Sequence, residues 1–179
     1  MELMEAIKQR RAIRTLKKDP IPDEYLDTII EAIRFAPSWA NTQCWEVVIV
    51  KNSEMKKTLA ETLPPTNPAL DAVKSAPVVL VMAAKKGLSG FYKGKASTDK
   101  GDWFMFDVGL ATQNLSLAAH SLGLGSVIVG LFDAKKAEKI LNAPNDIAVV
   151  ALIPLGFPLK IPSAPPRKEK KDFVKEEHF

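Results

Sequence analysis

Apolar side chains recur every three or four positions in three stretches of the chain, which is the spacing of an amphipathic α-helix. These stretches predict helices over residues 2–11, 23–35 and 102–122. Pro37 follows the second and Gly123 the third, and both residue types end helices, because proline lacks a backbone N–H and glycine readily adopts the left-handed turn. Shorter helices are predicted over residues 53–62 and from the capping residue Asp133 to about Leu141.

Four aliphatic or β-branched runs predict strands, over residues 45–50, 78–82, 126–129 and 147–155. The first two do not alternate with polar residues, which predicts central strands covered on both faces. Strands and helices follow one another at irregular intervals and do not repeat as strand–helix–strand units. We therefore predict an α+β fold in which a sheet is layered with helices.

Two further segments differ in composition from the rest of the chain. Residues 84–101 are rich in glycine and lysine, which predicts a solvated loop or lid. Residues 156–179 combine several prolines with many charged side chains, and they cannot form an ordinary core element. We predict that residues 1–155 form the domain body and that residues 156–179 form an extended C-terminal arm of the same domain.

The composition excludes several classes of function. The chain has 179 residues, 46% of them hydrophobic and 26% charged, which fits one folded domain, and a net charge of +4 does not require nucleic acid as a partner. One cysteine and two histidines cannot build a Cys/His zinc site or a disulfide framework, so redox chemistry would need a bound cofactor. No membrane-spanning run or basic N-terminal leader is present in the sequence, and we expect a cytoplasmic protein.

Arg10, Arg11 and Arg14 lie within five residues. Guanidinium groups bind phosphate in a bidentate manner, so the cluster is a candidate anion site. The alternative is that the arginines are a solvated helix end that complements the helix dipole.

Residues 37–43 place a proline, a hydroxyl and two carboxamides between a predicted helix and a predicted strand. Carboxamides can donate to and accept from a flat heterocycle, but the same residues could also form a turn whose side chains satisfy only the local backbone. Residues 123–130 match no nucleotide-binding motif, although the strand end at Gly130 could offer backbone N–H groups to a ligand. His120 is interpreted as a structural residue and Cys44 as a small core hydrophobe.

Taken together and in order, these blocks resemble the nitroreductase family of FMN-dependent oxidoreductases. The similarity extends over residues 1 to about 167. It is carried by Arg10-Arg11-Ala12-Ile13-Arg14, by Ala36-Pro37-Ser38 with Asn41, Gln43 and Trp45, by Asp107-Val108-Gly109 with Ala111 and Gln113-Asn114-Leu115, by Gly123-Leu124-Gly125-Ser126 with Gly130, and by Leu155-Gly156-Phe157-Pro158 with Arg167.

The resemblance implies a central mixed sheet flanked by helices and a homodimer whose C-terminal arms cross to the partner subunit. It also implies one FMN at each of two sites between the subunits. Arg10 and Arg11 would bind the phosphate and ribityl end of FMN. Ala12 follows them, at a position where the family often has serine. Arg14 would face the pyrimidine edge of the flavin, and Arg167 would reach the phosphate from the arm.

The remaining contacts implied by the resemblance come from two other segments. Pro37, Ser38 and Asn41 would be supplied by the other subunit, and Gln43 is a further candidate contact. Backbone N–H groups near Val129 and Gly130 would face flavin N5.

The function implied by the resemblance is hydride transfer from NADH or NADPH to FMN and then to a small electron acceptor such as a nitroaromatic or quinone. No catalytic side chain is required, because the cofactor carries the chemistry. Relatives with the same fold also perform reductive dehalogenation or flavin fragmentation. A non-catalytic FMN-binding protein is a third interpretation.

Overall fold

A computed structural model describes all 179 residues, and its secondary structure agrees with an α+β fold. The helices are α1 (Leu3–Gln9), α2 (Asp23–Arg34), α3 (Ser53–Ala60), α4 (Leu70–Ser75), α5 (Phe104–Ser121), α6 (Ala134–Ile140) and α7 (Lys170–Phe173), with a short 3₁₀ turn at Trp39–Asn41. The strands are β1 (Trp45–Val50), β2 (Val78–Lys85), β3 (Phe91–Tyr92), β4 (Lys95–Ala96), β5 (Gly125–Ser126) and β6 (Ile147–Gly156).

The main sheet has four strands in the order β1-β2-β6-β5, and neighbouring strands are antiparallel. A parallel bridge between Ala12 and Ser126 adds the segment that follows α1 to the β5 edge, which makes the sheet mixed. One hydrophobic cluster joins this sheet to α2 and α5, and a second joins it to α3, α4 and α6. The sheet is therefore covered by helices on both faces.

Two residues that the sequence predicts as helix boundaries, Asp133 and Gly123, do cap or end a helix in the structure. Asp133 Oδ1 accepts a hydrogen bond from the backbone N–H of Lys136 and caps α6. Gly123 has φ +76° after α5, and the N–H groups of Gly123 and Leu124 return to the carbonyls of His120 and Ala119. This double return is the Schellman arrangement that glycine permits at a helix end.

The prediction that residues 45–50 form a central strand is wrong. β1 is the edge of the sheet, and Val48 and Ile49 are 41% and 44% exposed. β2 fits the prediction, because it lies between β1 and β6 and is buried from Val78 to Ala84. Helix α4, which separates α3 from β2, was not predicted.

The predicted third strand, residues 126–129, is shorter and displaced. Only Gly125 and Ser126 form β5, and Val129 makes an isolated bridge with Leu152. The strand is interrupted because residues 127 and 128 have no partner in the ladder, and only Val129 re-joins β6.

Residues 84–101 are more structured than the predicted loop. β2 continues to Lys85, and β3 and β4 form a hairpin. The hairpin base is fixed to the start of α5: Trp103 Nε1 donates to Thr98 Oγ1, and the Gly87 N–H donates to Asp102 Oδ2. Gly90 lies so close to Trp103 that an added Cβ would stand 2.5 Å from Cδ1 of the indole.

Residues 159–179 are exposed throughout, so they take no part in the hydrophobic core. The start of the arm lies beside the segment that follows α1. The Lys17 N–H donates to the Phe157 carbonyl, and the Leu159 N–H donates to the Thr15 carbonyl. No helix of the structure combines the length and the apolar character needed to cross a bilayer.

Candidate functional site

The arginines predicted from distant parts of the sequence line one cavity. The segment after α1 is extended, and it is held against the sheet because the Ile13 N–H donates to the Ser126 carbonyl over 2.8 Å. The arm passes over this segment, so its side chains meet those of the arginine run. The cavity is lined by Arg10, Arg11, Ala12, Arg14, Pro162, Ser163, Pro165 and Arg167.

The positive charge in this cavity is not neutralised within the chain. None of the six ion pairs in the structure involves Arg10, Arg11, Arg14 or Arg167. Burial lowers the pKa of Arg10, and the neighbouring charges of Arg167 and Arg11 lower it further. A cavity with four guanidinium groups and no carboxylate is electrostatically complementary to an anion.

Arg11 differs from the other arginines because its guanidinium already has partners. Its Nη1 donates to the Lys8 carbonyl over 2.6 Å and to the Arg10 carbonyl over 3.0 Å. These bonds satisfy carbonyls at the C-terminal end of α1. The helix-end interpretation therefore applies to Arg11, whereas the guanidinium groups of Arg10 and Arg14 have no hydrogen-bond partner within the chain.

The loop of residues 37–43 lines a different cavity. Pro37 and Ser38 meet Trp39, Trp103, Phe106, Asp107 and Leu110 there, and no residue is common to this cavity and the arginine cavity. Within one chain, the structure does not bring Ser38 and Asn41 to the arginines.

Internal hydrogen bonds shape the loop. The Gln43 N–H donates to Ser38 Oγ over 2.9 Å, and Gln43 Nε2 donates to Asn41 Oδ1 over 3.2 Å. Ala40, Asn41 and Gln43 have φ values of +44°, +57° and +48°, which are left-handed conformations that non-glycine residues rarely adopt. The polar residues thus form both a local turn and an unusual backbone, and Asn41 and Gln43 remain exposed.

Asp107 is a site residue whose role the sequence did not reveal. It is 1% exposed in the first turn of α5 and accepts hydrogen bonds from the Trp39 N–H at 3.1 and 3.2 Å and from Ser89 Oγ at 2.7 Å. Cys44 Sγ lies 3.6 Å from its Oδ2. Its position within the Asp-Val-Gly block was visible in the sequence, but its partners come from three other segments.

At the strand end, the two predicted backbone donors differ. The Val129 N–H is used in the sheet, because it donates to the Leu152 carbonyl over 3.0 Å. The Gly130 N–H has no partner within the chain, Gly130 is exposed, and a Cβ at this position would meet nothing within 4 Å. Of the two, Gly130 is the available donor.

The pKa shifts of Cys44 and His120 both favour the neutral side chain. Burial first, and then the charge of Asp107, raise the pKa of the Cys44 thiol to about 12. Burial, Arg10 and Arg11 lower the pKa of His120, and its Nε2 is buried with no hydrogen-bond partner. No group of acidic, histidine or cysteine side chains is arranged to hold a metal ion.

An α+β fold with an arginine cavity, an exposed strand-end N–H and a strained polar loop defines a candidate binding site for a ligand that carries an anionic group. A profile of the Nitroreductase family matches residues 7–157. The chain therefore belongs to the nitroreductase family, which confirms the resemblance seen in the sequence.

Individual relatives agree with this assignment. A protein of Methanothermobacter thermautotrophicus, provisionally named NADH dehydrogenase/NAD(P)H nitroreductase, is 32% identical over 90% of this chain and 80% of its own length. FMN reductase (NAD(P)H) of Bacillus subtilis is 30% identical over 93% of this chain and 70% of its own. The crystal structure of a nitroreductase family protein from Clostridium novyi NT has a TM-score of 0.79 and 30% identity, covering 88% of this chain and 86% of that one.

Other relatives carry the names of different reactions. Iodotyrosine deiodinase 1 of Rattus norvegicus is 26% identical over 94% of this chain and 66% of its own length. The 5,6-dimethylbenzimidazole synthase of Rhodobacter capsulatus is 28% identical over 87% of this chain and 84% of its own length. Membership of the family therefore does not define the acceptor.

Proposed function

We propose that this protein is an FMN-dependent oxidoreductase that takes hydride from NADH or NADPH and reduces a small acceptor such as a nitroaromatic or a quinone. The observation that carries the proposal is the cavity in which Arg10, Arg11, Arg14 and Arg167 meet without a neutralising carboxylate. A phosphate monoester is the chemical group that such a cavity fits. The names of the Bacillus subtilis and Methanothermobacter thermautotrophicus relatives supply the flavin and the nicotinamide.

The arginines have separate tasks in this proposal. Arg10 and Arg167 bind the phosphate, and Arg11 supports them from the end of α1, with Ala12 beside the ribityl chain. Arg14 would place its positive charge at the pyrimidine edge, where it would favour the anionic form of the reduced flavin. When bound, FMN supplies the redox chemistry, namely hydride acceptance from the nicotinamide and reduction of the second substrate.

The backbone and the polar loop complete the proposed site. The Gly130 N–H, which has no partner in the chain and follows the buried Val129, would be free to donate to flavin N5. Pro37, Ser38 and Asn41 come from the other subunit, and Gln43 holds Asn41 through its side-chain amide. This division agrees with the separation of the two cavities within one chain.

A homodimer is part of the proposal because each site then draws on two subunits. Apolar side chains lie exposed on α1 and at the start of α5, and those of the arm are exposed as well; they are Leu3, Met4, Ile7, Met105, Phe106, Leu159, Ile161 and Phe173. Contact with a second copy would bury this surface, and burial of apolar surface drives association.

The aromatic cavity beside the polar loop supports the proposed class of acceptor. Trp39 and Trp103 have ring centroids 5.1 Å apart, and Trp103 and Phe106 have centroids 5.4 Å apart. Planar, uncharged acceptors pack well on such aromatic walls.

The test of cofactor identity is direct. The purified protein, supplied with FMN if it is isolated without it, should show the absorbance of an oxidised flavin, and chromatography after denaturation should release FMN and not FAD. Titration of the flavin-free protein with FMN and with riboflavin separates the contribution of the phosphate, and we expect much weaker binding of riboflavin. Failure to bind FMN would contradict the proposal.

A further inference from the structure

The carboxylate of Asp107 joins four separate parts of the chain. It lies in the first turn of α5 and accepts hydrogen bonds from Trp39 in the polar loop and from Ser89 at the base of the β3–β4 hairpin. Cys44, which leads into β1, points its thiol at the same carboxylate. Asp107 is 1% exposed and has no ion-pair partner.

These contacts favour a carboxylate over an amide, because the Trp39 N–H lies within hydrogen-bond distance of both oxygens of Asp107. The Trp39 N–H, the Ser89 hydroxyl and the Cys44 thiol can all act as donors here, and an ionised carboxylate is an acceptor only. An asparagine has the same shape, but its NH₂ group in place of either oxygen would face the Trp39 N–H, whose nitrogen lies 3.1 Å from Oδ1 and 3.2 Å from Oδ2. A buried donor that loses its acceptor costs free energy.

The polar loop depends on support from outside itself. Three left-handed residues, Ala40, Asn41 and Gln43, lie within four positions. Such conformations cost free energy and persist where surrounding contacts determine the backbone. Ser38 Oγ fixes the C-terminal end of the loop through the Gln43 N–H, and Asp107 fixes the N-terminal end through the Trp39 N–H.

We propose that Asp107 is a positioning residue, whose carboxylate holds the 37–43 loop in the conformation that presents Ser38 and Asn41 to the flavin bound by the partner subunit's arginines. This inference rests on the proposed function. Asp107 does not touch the cofactor in this account and acts only through the loop.

Asp107→Asn is the first test, with Asp102→Asn as the matched control. Asp102 lies five residues earlier and accepts from the Gly87 and Phe104 N–H groups, so it supports the hairpin and the helix start but not the loop. FMN should bind to flavin-free Asp107→Asn about ten- to a hundredfold more weakly than to wild type, as expected for hydrogen bonds to a charged group. Asp102→Asn should bind FMN as wild type does.

Asp107→Glu is the second variant, because it keeps an acceptor-only carboxylate but displaces it by one methylene. Its FMN affinity should lie between those of wild type and Asp107→Asn. If Asp107→Asn cannot be purified, the FMN affinity of Asp107→Glu relative to wild type decides whether the inference holds. Wild-type affinity in every purified Asp107 variant would overturn the inference, whereas failure of the wild type itself to bind FMN would overturn the proposed function.

Mixed dimers separate positioning across the interface from a general structural effect. A dimer of one Asp107→Asn subunit and one Arg14→Ala subunit keeps one site with intact arginines and an intact loop. A dimer of wild type with a subunit carrying both substitutions keeps none. We expect one tightly bound FMN per dimer in the first case and none in the second. The reverse result, or no tight site in either dimer, would contradict action through the loop.

Discussion

At the scale of single residues, the arginine cavity has the property that matters most, because four positive charges meet there without an acid. Such an arrangement is unfavourable in the free chain and becomes favourable when an anion enters. The arginines are not equivalent, because the guanidinium of Arg11 already donates hydrogen bonds to carbonyls at the end of α1. Their different surroundings lead to different expected effects on FMN binding.

Arg10→Ala and Arg14→Ala should each weaken FMN binding by about 1.5–3 kcal/mol, the range for hydrogen bonds to charged groups. Arg11→Ala should weaken binding less and should instead destabilise the end of α1. Isothermal titration of the flavin-free variants with FMN measures these effects. Arg34→Ala is the control, because Arg34 is exposed and pairs with Glu31 away from the cavity. Unchanged affinity in both Arg10→Ala and Arg14→Ala would favour a purely helix-end role for the cluster.

The Cys44 thiol gives a prediction about pH. Its pKa of about 12 in the folded protein lies above the ordinary value of 9.0, so the folded state retains a proton that the unfolded state loses. The unfolding free energy should therefore fall as pH rises from about 9 towards 12. Cys44→Ala should lack this part of the loss. Denaturant titrations of both proteins across that range measure the difference, and parallel pH profiles would contradict the raised pKa.

The same pKa predicts that a thiol reagent reacts slowly with native protein at pH 8, because the thiolate is the reactive form. Reaction should become fast once the protein is unfolded. Rapid labelling of the native protein would show that Cys44 is neither buried nor held as a thiol.

At the scale of elements, the sequence predicted the helices well and the environment of the strands less well. Helix ends are local, since Gly123 and Asp133 act on their own turns. An apolar run such as Trp45–Val50 does not reveal which strand becomes the edge, because that depends on pairing between distant segments. The hairpin within residues 84–101 was missed for the same reason, as its anchor is Trp103 in the next element.

The candidate site shows the same division. The sequence indicated Arg10, Arg14, Ser38 and Asn41 as polar clusters with two possible interpretations each. The residue pattern alone does not join Arg167 to the arginine run, because that contact depends on the path of the arm, and only the family resemblance implied it. The partners of Asp107 at Trp39, Cys44 and Ser89 lie 68, 63 and 18 positions away, so only the folded chain brings them together.

Strand β5 packs closely against the segment that follows α1, and this contact leads to a prediction about stability. A Cβ on Gly125 would lie 2.9 Å from Cβ and Cγ2 of Ile13. Gly125→Ala should push the arginine segment off the sheet and lower the unfolding free energy by about 1–3 kcal/mol, the usual cost of overpacking. Chemical denaturation of the flavin-free protein measures it. Gly130→Ala, where a Cβ meets nothing, is the control and should leave stability unchanged.

At the scale of the whole molecule, the proposed homodimer would bury the arm and the apolar side chains that are exposed on α1 and α5. Deletion of residues 159–179 removes Arg167 and the apolar residues of the arm. The truncated protein should dissociate to monomers at concentrations where the full chain is a dimer, and it should bind FMN more weakly. Sedimentation velocity at several concentrations tests this prediction. A truncated dimer with wild-type FMN affinity would contradict the role of the arm.

The central claim, turnover of a bound flavin by nicotinamide, is tested most directly by anaerobic absorbance spectroscopy of the FMN-loaded protein. Addition of NADH or NADPH should bleach the visible absorbance of the oxidised flavin, and a quinone or nitroaromatic added afterwards should restore it. An FMN-loaded protein that dithionite reduces readily, but that neither nicotinamide bleaches, would contradict the oxidoreductase proposal and would leave a flavin-binding protein without this activity.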